Sequence, residues 1–244
     1  MPSMDRLGIV RALESQRSPV ITARQFALIT GTSPRTALLR LHRLARDGVL
    51  VRAMKGHYCL PGTDPRAVAT GVFTPSYVSL LKAFEYHGTT TQSPRGIDVV
   101  NPTRSQTMRL ALDEGAFEVR FIRVAPDLVF GFERVSLGGK DAFMADKERA
   151  VVDGLMFPGR VPLDEVAACI RFGIDVPRTI DYAKRVNRQV VTKRLGHMLE
   201  AEGYGAALGE LGPLSPTWVP LDPALPRRGQ YNATWRVIVN RVIE

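Results

Sequence analysis

The chain holds few of the residues from which metal centres, disulfide frameworks and membrane spans are built. Its two cysteines, Cys59 and Cys169, form neither a CxxC nor any other zinc spacing, and four scattered histidines add no ligand cluster. No metal and no other cofactor is expected, and both thiols read as small buried hydrophobes in a reducing cytoplasm. No apolar run reaches 18 residues, and no long basic helix carries Trp or Phe on its opposite face. A membrane is therefore not among the expected partners. The opening MPSMDRLGIVRALE is charged throughout and lacks the apolar core of a signal peptide, so it reads as the first helix of a small domain in a cytoplasmic protein. There is no internal repeat of 20–50 residues and no low-complexity tract. At 45 % hydrophobic residues the chain is too apolar for disorder, and 244 residues suit one small domain and one larger domain.

Acidic residues are scarce at one end. Residues 1–62 hold ten Lys and Arg against three Asp and Glu, which places +7 of the whole-chain +9 in a quarter of its length. A field concentrated in that way points to a polyanion bound by that quarter.

Residues 22–60 explain the charge. Thr22 can cap a helix while Gln25 closes a capping box, Gly31 supplies a turn, and Ser33-Pro34 sets an N-cap before a proline at the first helical position. The helix begun there runs to about Asp47 and ends at Gly48. Two β-rich runs, 49–53 and 57–60, then flank a Lys55-Gly56 turn. This order predicts a winged helix-turn-helix, a module that puts a basic helix into the DNA major groove.

At a hundred degrees per residue, Ala37, Leu38, Leu41, Leu44 and Ala45 share one arc, the side expected to pack on the preceding helices. Arg35, Thr36, Leu39, Arg40 and Arg43 face outward. An outward arginine can fork to guanine O6 and N7 or to phosphate, and Leu39 can meet a thymine methyl. With Thr32 and Ser33 at the turn, and Arg52, Lys55 and His57 in the wing, these are the candidate DNA contacts. A structural helix with a solvated basic face is the alternative.

Residues 63–75 interrupt the periodicity with Pro, Gly and Thr and read as a linker. The domain expected over 76–244 opens with a helix at 76–87. Strand-like runs follow at 96–100, 117–124, 128–135 and 141–144, the middle two alternating as a half-exposed antiparallel pair would. Helices are expected at 146–156, 162–172, 177–184 and 187–202, and a last strand at 234–242. The fold class is α+β: an N-terminal winged helix-turn-helix over 1–62, then a larger mixed α/β domain.

That domain shows no catalytic set. Asp146, Lys147, Glu148, Arg149 and Asp153 can be read as paired carboxylates beside a base, but Asp146 is a natural N-cap and Ala150, Val151, Val152 and Leu155 supply a buried stripe, so capping and surface ion pairing read better. Tyr86-His87-Gly88 reads as a helix end, and Gly138-Gly139-Lys140, without Walker spacing, as a hairpin turn. Arg185, Arg188, Lys193 and Arg194 gather within ten residues around the basic helix at 187–202 and can extend a DNA track, receive an acidic partner or simply be solvated.

Four blocks, SYVSLLKAFEYHGTTTQSP at 76–94, MADKERAVVDGL at 144–155, RLGHMLE at 194–200 and TWRVIVN at 234–240, occur in an order that resembles the AbiEi family of antitoxin transcriptional regulators. The second block usually has a Ser-Pro-Glu-Lys core in that family. Glu148, Ala150 and Asp153 agree with it, whereas Lys147 and Arg149 depart. The resemblance implies a type IV toxin–antitoxin operon, repressed by its own antitoxin through the winged helix on operator DNA, with inverted repeats pairing monomers. It also implies that the C-terminal domain counters a nucleotidyltransferase-like toxin. Candidates for that antitoxin surface are Lys147, Glu148, Asp153, Arg188, Lys193 and Arg194. The chain is thus expected to be a non-enzymatic autorepressor and antitoxin. The alternatives are a phosphotransferase that modifies the toxin and a plain ligand-responsive regulator.

Overall fold

A computed structural model describes residues 5–113 and 115–243, with only the backbone at 206–208. It is mixed α+β and divides into two compact units. The first holds the described residues up to Val78 together with Arg95–Val129 and Glu133–Met144, and the second holds Ser79–Pro94, Phe130–Phe132 and the described residues from Ala145 onward.

The first unit begins with three helices, α1 (Arg6–Glu14), α2 (Ala23–Thr30) and α3 (Pro34–Arg46). The part of the expected first helix that falls on residues 1–4 lies outside the described residues. The caps form as the sequence requires. Thr22 Oγ1 accepts from the Gln25 N–H while Gln25 Oε1 accepts from the Thr22 N–H at 2.8 Å, which closes the capping box on α2. Ser33 Oγ accepts from the Thr36 N–H at 3.2 Å with Pro34 at the first helical position. Gly31 and Gly48 both adopt positive φ, and after Gly48 the Val49 N–H returns to the Leu44 carbonyl at 2.9 Å. A hairpin follows, β1 (Val51–Met54) antiparallel to β2 (His57–Cys59) around Lys55-Gly56. Ile21 adds a third rung by exchanging both backbone hydrogen bonds with Tyr58. Ile9, Leu13, Phe26, Ala37, Leu41, Leu44, Leu50 and Tyr58 form one buried cluster beneath these elements.

The stretch expected to be a linker is instead helical. Asp64 caps α4 (Pro65–Val72), whose Ala67, Val68 and Ala69 are fully buried. Small side chains permit this: a Cβ on Gly71 would stand 2.8 Å from Pro19 Cγ and 2.9 Å from Val20 Cγ2. Pro, Gly and Thr mark a close approach here, not a disconnection.

A six-stranded sheet completes this unit. It comprises β3 (Tyr77–Ser79), β4 (Ile97–Asn101), β5 (Gln106–Leu112), β6 (Gly115–Arg123), β7 (Phe132–Leu137) and β8 (Lys140–Ala145), in the spatial order β5-β6-β4-β3-β8-β7. Three expectations change, the first being that the strand expected at 128–135 begins only at Phe132, after a 3-10 turn at Pro126–Leu128. Residues 77–79 are a strand where a continuous helix was expected, and the run at 117–124 pairs with β4 in parallel and β5 antiparallel, not with the run that follows it. Alternation along a strand shows which face is wet but not which strand is its neighbour. Asp98 and Arg120, opposite each other on β4 and β6, form an ion pair at 2.6 Å. Gly138 and Gly139, both at positive φ, make the expected hairpin turn between β7 and β8.

Lys140, just past that turn, is buried. Its Nζ donates to the carbonyls of Leu13 at 2.8 Å, Glu14 at 3.2 Å and Gln16 at 2.6 Å, where it caps the C-terminal end of α1 with positive charge. Lys140→Met keeps the apolar stem and removes the three bonds. It is expected to cost about 1–3 kcal/mol, because three charge-assisted bonds to the end of α1 are lost. Chemical denaturation followed by circular dichroism checks this, and an unchanged midpoint would contradict the capping role.

The second unit is helical with a small sheet. It contains α5 (Leu81–Tyr86), α6 (Lys147–Met156), α7 (Leu163–Phe172), α8 (Val176–Val186) and α9 (Gln189–Ala201), then β9 (Val219–Pro220), β10 (Gln230–Asn232) and β11 (Val237–Val239). β11 lies between β10, antiparallel, and β9, parallel. Every residue of α6 from Glu148 to Met156 is buried, so it is the central helix of this unit. Trp235 packs so closely on α9 that a Cβ at Gly196 would come within 2.1 Å of its ring, and its indole N–H donates to Glu200 at 3.1 Å. Both cysteines are free and buried, and burial raises the Cys169 thiol to about 11 and the Cys59 thiol to about 12. Among the described residues no helix is long and apolar enough to cross a membrane.

Candidate nucleic-acid interface

α3 is thirteen residues long, PRTALLRLHRLAR, without one acidic side chain. Ala37 and Leu41 are fully buried and Leu44 nearly so, which fixes the opposite arc toward solvent. Arg35, Thr36 and Arg43 are exposed, and Leu39 is 55 % exposed. An exposed leucine between exposed arginines can meet a thymine methyl at a base edge.

Two residues at the margins of the arc behave differently from the expectation. Leu38, placed on the packed side by sequence, is 40 % exposed. Arg40, placed outside, is half-buried, with its guanidinium carbon 5.9 Å from the centre of the Phe26 ring. Both lie roughly 80° from the centre of the buried arc at 100° per residue, where helix geometry alone does not decide exposure. Sequence reasoning also left out His42 and Arg46, which share the exposed arc. His42 contacts the buried Tyr58 edge to face at 6.0 Å, and Arg46 pairs with its neighbour Asp47 at 3.5 Å. Arg6 donates to the Asp47 carbonyl at 3.1 Å, which ties α1 to the end of α3.

At the other end of α3, Thr32 and Thr30 hydroxyls lie 2.9 Å apart, as do those of Ser33 and Thr36. These small polar groups hydrogen-bond to one another across the turn and the first turn of α3. In the hairpin Arg52 and Lys55 are exposed, while His57 is half-buried with Nδ1 3.3 Å from the Lys55 carbonyl. The structure thus presents a contiguous run of cations on α3 and two more on the hairpin.

The candidate antitoxin surface is not assembled as a surface. Asp153 and Arg149 are fully buried and pair at 2.8 Å, and Asp153 accepts from the Ser79 hydroxyl at 2.8 Å. Glu148 is buried and accepts from the Asp175 N–H at 2.8 Å, while Lys147 donates to the Gly173 carbonyl, so the first turn of α6 holds the connection between α7 and α8. Lys193 is buried against Ser215 and Thr217, and Arg194 donates to the Pro220 carbonyl at 3.0 and 3.1 Å. Burial depresses both cations below their ordinary values. Of the six candidates, Arg188 is exposed and Lys147 half-buried. Residues in the middle of a helix that is buried all round cannot be recognised from charge alone.

The N-cap of α6 forms as expected. Asp146 accepts from the Arg149 N–H at 2.7 Å and from the Tyr182 hydroxyl at 2.8 Å. Burial raises the Asp146 carboxyl above the usual range, and burial together with that carboxylate pushes Tyr182 up to about 12.

Residues 9–61 match the family described as transcriptional regulator, AbiEi antitoxin, a span that holds most of α1 and all of α2, α3 and the hairpin, while the four blocks at 76–240 lie outside it. The whole chain is similar in fold to the crystal structure of the RV2827C protein from Mycobacterium tuberculosis. The likeness has 15 % identity and a TM-score of 0.61 over 96 % of this chain and 93 % of that chain. No curated protein matches the chain.

Proposed function

We propose that the chain is a DNA-binding autorepressor and antitoxin of a type IV toxin–antitoxin operon. In this reading α1, α2, α3 and the hairpin act as a winged helix-turn-helix. Arg35, Leu39 and Arg43 read bases or phosphates in the major groove, Thr32, Ser33, Thr36 and Arg40 set or support that helix, and Arg52, Lys55 and His57 lie along the backbone. The observation that carries this is α3 itself: thirteen residues without an acid and an exposed arc of arginines around an exposed leucine. The match of residues 9–61 supports the regulator and antitoxin roles together. The C-terminal part of the chain would counter a nucleotidyltransferase-like toxin, without catalysis of its own and without a cofactor. Monomers would pair on inverted repeats of the operator, within the cytoplasm.

The toxin-facing surface is proposed at exposed groups such as Arg188. Glu148, Asp153, Lys193 and Arg194 each hold an internal contact. A phosphotransferase reading would need some of these same groups and gains no support from their burial.

The test is a salt titration of the full-length protein on labelled DNA from upstream of its own gene. If about five phosphates are neutralised per protomer, log K falls against log salt with a slope of about −4 to −5 per bound protomer. Removing Arg52 and Lys55 together should flatten the slope without changing base preference. Salt-independent binding would overturn the reading.

A further inference from the structure

One face of the second unit carries an aromatic and basic cluster that the regulator reading does not use. Trp218 immediately precedes β9 and Tyr231 lies in β10, and the two rings meet edge to face at 4.9 Å. Tyr231 is 61 % exposed and Trp218 is half-buried, whereas the other tryptophan, Trp235, is buried against α9. The Arg236 guanidinium lies over the Trp218 ring at 5.5 Å, and Arg227 donates to the Trp218 carbonyl at 2.6 Å. Arg228, next to Arg227 in sequence, is exposed.

The nearby carboxylates are already engaged. Asp222 pairs with Arg241, and Glu200 accepts from Trp235 and Asn232. Among the described residues no ion pair is formed by Arg227, Arg228 or Arg236. Arg236 closes the turn between β10 and β11 in a left-handed backbone at φ 55. Two arginines that form no ion pair among the described residues, beside an exposed tyrosine and a half-buried tryptophan, match the chemistry that binds unpaired nucleotides. The rings stack on bases and the guanidinium groups take the phosphates. A duplex hides its base faces and offers this cluster only phosphates.

We propose that the Trp218–Tyr231 face is a binding site for single-stranded nucleic acid, separate from the duplex-reading α3. The full-length protein carrying Arg35→Ala and Arg43→Ala, which silence α3 as a reader, is titrated with a twelve-nucleotide oligouridylate and with the matching oligodeoxythymidylate. The two strands show whether ribose is required. Tryptophan emission should be quenched by at least one of them, and Trp218→Phe should abolish the quenching. Tyr231→Ala should weaken binding on the order of tenfold. Arg236→Gly relieves the backbone and removes the charge, so it should weaken binding with no loss of melting temperature. This variant separates ligand contact from folding. Unquenched emission with both strands, unchanged affinity in Tyr231→Ala and Arg236→Gly, or equal competition by a twelve-base-pair duplex would each overturn the proposal. A failure of α3 to bind operator DNA would leave these readouts untouched.

Discussion

Replacing Arg35 and Arg43 together by alanine in the full-length protein is expected to abolish operator binding while the fold is kept. Both side chains are exposed on α3, so their loss removes no buried contact. An arginine that forks to a guanine contributes about 1–3 kcal/mol, and the pair together about 2–6 kcal/mol if both read bases. The pattern across DNA sequences distinguishes the roles. Loss of a base reader relaxes preference at one base pair, whereas loss of a phosphate contact weakens all sequences alike. Arg40→Ala is a different experiment because that guanidinium also packs near the Phe26 ring, so part of its effect should appear as lost stability. If the adjacent gene encodes a toxin, the same double variant is expected still to protect cells from it, since repression and neutralisation would use different surfaces. Wild-type affinity in the double variant would remove α3 from the interface. Loss of protection by a folded double variant would mean that neutralisation runs through DNA binding.

Asp153→Ala is expected to be the most destabilising single change in the second unit. Asp153 and Arg149 are both fully buried within α6, and Arg149 lies 4.3 Å from the Phe130 ring. Removing one partner leaves a guanidinium charge in the interior facing an empty space, at a cost of about 3–5 kcal/mol. For a chain of this size that corresponds to a fall in melting temperature on the order of 10 °C. Asp153→Asn keeps the shape and a hydrogen-bond acceptor and should cost less. The measurement also decides between two roles for this residue. A toxin-facing Asp153 would leave the melting temperature unchanged and lose neutralisation, whereas the buried ion pair requires that stability fall first.

Much of the first 60 residues was legible from local chemistry, because caps, glycine turns and a proline at the first helical position act over three or four residues. Thr22 with Gln25, Ser33 with Pro34, Gly31 and Gly48 all take the roles their sequence neighbours demand. The α+β class and the four helices after residue 145 were likewise carried by periodicity, which needs no knowledge of the partner element. What only the tertiary structure decided depends on long-range packing. Small residues at 67–71 look like a break until another segment approaches them closely. Charges on α6 look solvated until neighbours enclose the helix on every side. Trp218 and Tyr231 meet only because β11 pairs with β9 on one edge and β10 on the other, and strand pairing is not written in any local pattern.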